Sequence, residues 1–315
     1  MKAAACLPPA AFCATMEKTR EEKEAATVIY LSEFVFPDAE EEVSFRLSVK
    51  RTCYDTMYPF FVLSARGLER LAFEPVTILY GGNGSGKTTA LNVIGETLNL
   101  KRDTLYNRSN FFENYTALCR FGTRAAIPEN SRVITSDDVF DFMLNLRALN
   151  GGIDRRREEL FEEYVFINEK ERDFRLRSMD DYDRLHEINL ARGKTQSKFV
   201  RAMLQDNVRE RSNGESAYFY FTQKIEEDGL YLLDEPENSL APEKQQELVK
   251  FVEDSARFFH CQFIIATHSP FILALRGAKI YDLDANPAAT RRWTELPAVR
   301  AYYDFFRAHG HEFES

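Results

Sequence analysis

Three clusters of residues in this chain have the types and spacing to act on a phosphate group. In Gly81-Gly82-Asn83-Gly84-Ser85-Gly86-Lys87-Thr88, glycines let successive backbone N–H groups turn toward one anion. Lys87 can neutralise phosphoryl oxygens, and the Thr88 hydroxyl can ligate Mg²⁺. Leu230-Tyr231-Leu232-Leu233-Asp234-Glu235-Pro236 is an apolar run ending in adjacent carboxylates; Asp234 can reach a metal shell, and Glu235 can orient or deprotonate a water. Ile264-Ile265-Ala266-Thr267-His268-Ser269-Pro270 repeats the design with a histidine able to hydrogen-bond a terminal phosphate. Taken singly, a glycine turn, a pair of solvated acids and a structural histidine would explain them. Together, each at the end of an apolar run, they point to phosphoryl transfer to water.

The elements that position these residues follow from periodicity. Val76 to Tyr80 reads as a buried strand running into the glycines, and Ala90 to Leu98 as the helix behind them. Gly229 to Asp234, Gln262 to Thr267 and Lys279 to Leu283 read as further buried strands separated by helices, which predicts an α/β fold with a parallel sheet covered on both faces. Upstream, Thr27 to Phe36, Val43 to Lys50 and Phe60 to Ser64 read as strands of an N-terminal antiparallel part, Val43 to Val49 alternating strictly. The sheet is therefore expected to be mixed. Residues 139–211 are densely charged and contain no proline, a pattern of exposed helices laced with ion pairs, and are expected to form a helical lobe inserted into the domain. Their aromatic residues sustain no heptad.

A chain of 315 residues, 44% hydrophobic and 29% charged, has the composition of a soluble globular protein. No apolar run approaches the length of a membrane span. The net charge of −9 disfavours indiscriminate attraction to nucleic acid or anionic lipid. Five cysteines without a CxxC pair fit a reducing compartment, so a cytoplasmic location is expected. Residues 1–26 read as a leader, with Pro8 and Pro9 breaking the helix a secretory signal would need; Met16 is an alternative start. Residues 27–315 are expected to form one domain.

With these residues in view, the chain resembles an ABC-type P-loop ATPase. Gly81 to Thr88 resembles a Walker A motif, Leu230 to Glu235 a Walker B motif with its catalytic glutamate, Glu237-Asn238-Ser239-Leu240 a D-loop and Thr267-His268-Ser269 an H-loop, in the order of that family. Arg211-Ser212-Asn213-Gly214-Glu215-Ser216 resembles the shortened S-x-G-E signature of stand-alone members. More narrowly, the chain is similar to small bacterial "predicted ATPases" of AAA and SMC/ABC-like type, over roughly Tyr58 to Leu98 and Arg209 to Phe306.

The resemblance implies ATP held by Gly81 to Thr88 and the following Thr89, Mg²⁺ held by Thr88 and Asp234, and catalysis by Lys87, Glu235 and His268. It also implies that Ser212, Gly214 and Glu215 meet the γ-phosphate of a second copy, making an ATP-dependent head-to-tail homodimer. The chain departs from the pattern where a metal-touching glutamine should follow Arg132 to Thr135: it has Ser136-Asp137-Asp138. Asp137 is the candidate replacement at the metal, with an acidic helix cap as the alternative. Tyr54, Tyr58 and Phe60 fit either a nucleobase platform or core packing.

The leading functional expectation is an ATP hydrolase acting as a dimerisation switch for a protein partner. A second is a nucleic-acid-associated ATPase of SMC-like or anti-phage type binding DNA or RNA, supported by Arg192, Lys194, Lys198, Arg201, Arg209 and Arg211 against Asp206 and Glu210. A transporter nucleotide-binding subunit is disfavoured by the absent LSGGQ and the absent glutamine. His186, His260, His309 and His311 have no triad or metal-ligand spacing.

Overall fold

The structure, a computed structural model, describes residues 27–50, 54, 56–170, 182–204, 213–238 and 240–313. The expected leader and Ser212 lie outside the described residues. The chain opens with β1 (Leu31–Val35), α1 (Ala39–Ser48), β2 (Arg70–Ala72), β3 (Val76–Tyr80) and α2 (Lys87–Thr97). There follow α3 (Phe112–Leu118), β4 (Arg120–Thr123), β5 (Arg132–Thr135), α4 (Ser136–Lys170), α5 (Tyr182–Gly193) and α6 (Gln196–Met203). The last part comprises α7 (Asn213–Lys224), β6 (Leu230–Asp234), α8 (Pro242–Phe258), β7 (Gln262–Thr267), α9 (Pro270–Leu273), β8 (Lys279–Asp282), β9 (Ala289–Thr290) and α10 (Pro297–Ala308).

The larger sheet runs in the order β5-β6-β7-β3-β8-β9, parallel except for the β8–β9 pair. Strands β3, β6 and β7 are buried along their whole length, as their unbroken apolar runs require. A smaller antiparallel sheet has the order β2-β1-β4. The mixed α/β architecture expected from the sequence is therefore present, with an antiparallel N-terminal part.

Two of its expected strands are not strands. Val43 to Ser48 belongs to α1, with Val49 as its extended C-cap, because local capping outweighs alternation. Asp38 Oδ1 accepts from Glu41 N at 2.8 Å while Glu41 Oε2 accepts from Asp38 N at 3.1 Å, and Glu40, Glu41 and Glu42 complement the helix dipole. The inward positions are Glu42, Phe45 and Val49, at helical spacing, while Val43 and Leu47 face solvent. Phe60 to Ser64 is a series of turns leading into a 3₁₀ segment at Ser64–Arg66, held by Val62 N to Pro59 O and Arg66 N to Leu63 O.

Two buried polar side chains join the sheets. Gln262 at the start of β7 accepts from Tyr30 N and Leu31 N, both at 2.9 Å, and donates to Leu31 O at 2.8 Å. The Tyr281 hydroxyl on β8 accepts from Ala72 N and donates back to Ala72 O. These bonds satisfy edge amides that would otherwise be buried unpaired. Phe34, Phe36, Leu71, Leu91, Ile94, Phe112, Leu232 and Ile264 belong to an apolar core that this arrangement encloses.

Residues 140–212 form a separate compact unit. It comprises most of α4 with α5 and α6, and has a small core of its own: Leu160, Ile167, Ile188, Ala191, Phe199 and Val200. The Tyr164 hydroxyl donates to Lys194 O at 3.1 Å within this unit. Among the described residues, no helix is long and apolar enough to cross a membrane.

Helix α2 lies against the sheet at Gly95, where a Cβ would sit 2.6 Å from Val133 Cγ2. Gly95→Ala is expected to lose about 1 kcal/mol net, because overpacking exceeds the gain in helix propensity. In a Val133→Ala background the same change should stabilise. Urea denaturation of the four variants reads this directly; an effect of equal sign in both backgrounds overturns the packing account.

Candidate functional site

The glycine-rich segment is a turn between a buried strand and a helix. β3 delivers the chain to Gly81, and α2 begins at Lys87. Gly86 sits at φ +95°, a left-handed conformation that favours glycine, and a Cβ at Gly81 would lie 2.5 Å from Ser85 Oγ. The segment therefore depends on its glycines both for conformation and for space. It walls a cleft of about 250 Å³ lined by Asn83 to Thr89 and by Glu235. The Thr89 hydroxyl accepts from Tyr58 Oη at 3.2 Å, and Arg66 reaches the Gly84 carbonyl at 3.3 Å, adding a cation at the loop's tip.

The acidic strand end meets this loop from across one intervening strand. Thr88 Oγ1 donates to Asp234 Oδ1 at 3.2 Å, joining positions 146 apart in the chain. Lys87 Nζ donates to Gly81 O at 2.7 Å and Gly82 O at 3.1 Å and stands 3.8 Å from Glu235 Oε1. Burial pushes the Asp234 carboxyl up to about 6; the Thr88 hydroxyl, Lys87 and Arg102 lower it, and the Glu235 carboxylate raises it further. Glu235 has φ +48°, an uncommon conformation for a residue with a side chain. It is fixed by Glu235 N to Ala266 O and by Asn238 Nδ2 to Glu235 Oε2 at 3.0 Å. Strain of this kind persists where surrounding bonds over-determine it, which is common at functional sites.

His268 completes the cluster. Its Nδ1 lies 3.2 Å from Glu237 Oε1 and 3.9 Å from Glu235 Oε1, and the ring is half exposed. Glu237 was read from the sequence only as part of a D-loop-like segment, yet it is a buried organiser. Its Oε1 accepts from Thr267 Oγ1 at 2.7 Å and His268 N at 2.9 Å. The signal available in the sequence was a third acid two positions past the strand-end pair, followed by no turn-forming glycine. Nothing in the sequence indicated that it faces inward.

Asp137 is exposed in the first turn of α4, and no hydrogen bond or ion pair brings it to Thr88 or Asp234. Its neighbour Asp138 is the buried one, accepting from Thr135 N at 2.6 Å and Thr135 Oγ1 at 3.0 Å. Asp138 Oδ1 is buried without a hydrogen-bond partner. Arg102, also missed in the sequence, is a half-buried guanidinium under the influence of both Asp138 and Asp234; burial lowers its pKa while those carboxylates raise it. Gly214 and Glu215 lie in the first turn of α7, and Glu215 is exposed. Neither lines the cleft among the described residues. Phe60 is core, stacked on Phe45 with ring centroids 4.5 Å apart. Tyr54 packs edge-on against Phe111.

The residues present fit Mg²⁺. Thr88 and Asp234 offer a hydroxyl and a buried carboxylate, a hard oxygen pair within bonding reach of one another. Among the described residues there is no group of three or more His, Cys, Asp or Glu able to hold a metal ion. A cation here would therefore complete its shell with substrate oxygens and water, as Mg²⁺ does.

A family model described as an AAA ATPase domain matches residues 195–273, the stretch that contains α7, β6 and β7. No curated protein matches the sequence. Among solved structures, the chain is similar to one described as a metal-chelate type ABC transporter in an inward-facing conformation, with 17% identity, 73% of this chain and 78% of that chain covered, and TM-score 0.35. It is similar to the Smc head domain with an extended coiled coil bound to the C-terminal domain of ScpA from Pyrococcus furiosus, with 13% identity, 75% and 94% covered, and TM-score 0.36. The SMC head domain from Thermotoga maritima gives 10% identity, 84% and 99% covered, and TM-score 0.34. At such scores the overlaps carry no functional argument. The family-model match supports an ATPase domain in the stretch it covers, residues 195–273.

The wall of turns beside the loop rests on a buried acid. Glu42 Oε2 accepts from Phe61 N at 3.0 Å and from Ser64 Oγ, while its Oε1 has no partner and the Tyr115 hydroxyl lies against it outside hydrogen-bonding geometry. Burial raises the Glu42 pKa, and the bonds from Ser64 and Phe61 only partly offset it. The folded state thus binds this proton more tightly than the unfolded chain. Its contribution is fully present below the ordinary glutamate pKa of about 4.3 and is lost as pH rises through the raised value. The wild-type chain should therefore gain stability relative to Glu42→Gln on acidification from neutral pH. Denaturation midpoints of the pair across that range test it, and a difference that stays flat with pH overturns the assignment.

Proposed function

We propose that this chain, an ABC-like P-loop ATPase in fold and motif order, hydrolyses ATP and closes into a head-to-tail dimer when ATP is bound. The observation that carries the reading is the convergence of Lys87, Thr88 and Glu235 on one small cleft from distant parts of the chain, with Asp234 bonded to Thr88. Residues 81–89 bind the polyphosphate through backbone N–H groups, the N-terminus of α2 and the Lys87 ammonium. Thr88 and Asp234 would hold Mg²⁺, which when bound neutralises charge on the phosphoryl oxygens. Glu235, held in position by Asn238 and by the β7 backbone, orients the attacking water and takes its proton. His268, steadied by Glu237, donates a hydrogen bond to the terminal phosphate.

The dimer reading is supported by the lining of the cleft. The cleft is walled on the loop side and by Glu235, and no residue of α7 lines it among the described residues. Asn213, Gly214 and Glu215 at the start of α7 offer backbone N–H groups and a helix N-terminus suited to an anion. On this reading Ser212, Gly214 and Glu215 of one copy cap the phosphate held by the other. ATP then acts as a switch that a partner protein can sense, and the cytoplasm is the expected compartment.

Glu235→Gln should lower kcat by about 10²- to 10⁴-fold, the usual contribution of a general base, while retaining ATP binding. Lys87→Ala should lose nucleotide binding instead. Single-turnover hydrolysis and sedimentation of Glu235→Gln with saturating ATP and Mg²⁺ test both halves of the proposal. Undiminished turnover sinks the catalytic assignment, and a monomer under those conditions sinks the dimer.

A further inference from the structure

We propose that the cleft around Trp293 is a docking site for a partner segment that is acidic and carries an apolar anchor. The cleft has two connected compartments sharing Ala274, Arg276 and Trp293. The larger, about 660 Å³, runs between Leu273 to Ile280 and Thr290 to Glu295. The smaller, about 470 Å³, is walled by Val249, Pro270 and Phe271 from α8 and α9. Trp293 stands between them and is 40% exposed.

The charge of the walls selects the occupant. Lys250, Arg276, Lys279, Arg291 and Arg292 line the two compartments in a chain whose net charge is −9. Lys279 already donates to Ala72 O, and Arg291 pairs with Asp282 at 3.2 Å. Lys250, Arg276 and Arg292 are exposed and enter no ion pair among the described residues. Of the acids in the lining, Glu253 is taken by Arg276 N and Glu295 by Arg292 N, so neither offsets these cations through a side-chain pair. Acidic side chains are thus drawn to one compartment while the other accepts an aliphatic or aromatic one.

A peptide fits this surface better than a nucleic acid. Single-stranded nucleic acid binds along a basic track with several stacking platforms, and here there is one indole beside an apolar recess.

The cleft is connected to the phosphate loop by a short polar chain. Arg291 Nε contacts Asp282 Oδ2 at 3.2 Å, Asp282 Oδ1 accepts from Asp284 N at 3.0 Å, and Asp284 Oδ2 accepts from Gly82 N at 2.8 Å. A carboxylate that competes for Arg291 changes the compensation of buried Asp282 and, through Asp284, the hold on Gly82. This connection alone rests on the ATPase reading.

Trp293 is the sole tryptophan of the chain, so its fluorescence reports the cleft without ambiguity. The experiment titrates full-length protein, without nucleotide, with a synthetic peptide of two leucines flanked on both sides by glutamates. The expected result is a saturable, salt-sensitive change that is lost in Arg276→Glu/Arg292→Glu, a variant with unchanged circular dichroism and melting temperature. Arg292→Gln alone should weaken it several-fold. The same peptide with serines for leucines and a short oligothymidylate should give no saturable response. No response to the leucine peptide, or an undiminished one in the charge-reversed variant, overturns the docking site. A response to oligothymidylate at least as strong overturns the choice of a peptide. In a second arm, the peptide should alter fluorescent-ATP affinity in the wild-type chain and not in Arg291→Gln; equal effects in both overturn the connection while leaving docking and nucleotide binding to be judged on their own titrations.

Discussion

Strands β3, β7 and β6 end nearly level with one another, and the glycine loop, His268 and the Asp234–Glu235 pair all hang from those ends. The register pairs Tyr80 with Thr267 and Asp234 with Ala266, so the glycine loop, the histidine and the acidic pair leave the sheet at nearly the same height. A parallel register of this kind is set by buried apolar faces, because a slip by one residue would turn each strand's side chains to the opposite face. The hydrogen bond between Thr88 and Asp234 is a consequence of that register as much as of the two residues. Core packing and site geometry are therefore one constraint: whatever shifts β7 between its neighbours shifts the acids relative to the loop.

The same edge concentrates buried negative charge. Asp138, Asp234, Glu237 and Asp282 are all buried near the ends of β5, β6 and β8, and Asp138 and Glu237 each keep one oxygen without a partner. Burying a carboxylate costs several kcal/mol unless it is paired and hydrogen-bonded. Most of the cost is met locally, by Thr135 for Asp138, by Thr267 and the His268 amide for Glu237, and by Arg291 for Asp282. Asp234 has only the Thr88 hydroxyl within hydrogen-bond distance, which is why burial raises its pKa so far. That incomplete compensation is what a carboxylate meant for a cation would show.

The core strands were legible because each is a short, largely apolar run that ends at a glycine, an acid or a histidine: Val76 to Tyr80 and Gln262 to Thr267 appear at the expected bounds. The glycine loop was legible because its spacing is tied to backbone geometry. Val43 to Val49 was misread because alternation and helical periodicity share positions over seven residues, and the deciding term was the Asp38–Glu41 capping box just upstream. Asp137 and Asp138 illustrate a second limit. Adjacent residues at a helix start point in directions about 100° apart, and only the three-dimensional approach of Thr135 and Arg102 decides which acid is inside. Glu237 and Arg102 act through partners distant in sequence, so no local pattern could mark them.

The phosphate loop is held from two sides by carboxylates that do not come from it. Asp234 from β6 holds Thr88 at the helix end, and Asp284 after β8 holds Gly82 at the strand end. Between these anchors, Lys87 spans back to the carbonyls of Gly81 and Gly82, and Ser85 N bonds Gly82 O at 3.2 Å. A glycine-rich segment left to itself would have high conformational entropy, and ordering it on a ligand would subtract from affinity. Clamping both ends removes most of that freedom in advance, so that the N–H groups are already aimed when an anion arrives. The two clamps differ in chemistry: the Asp234 side contains the proposed metal ligands, while the Asp284 side leads through Asp282 to the surface. The loop thus sits between a buried anchor at Asp234 and one that reaches solvent through Asp284 and Asp282, and the second is where an outside contact can act on it without touching the first.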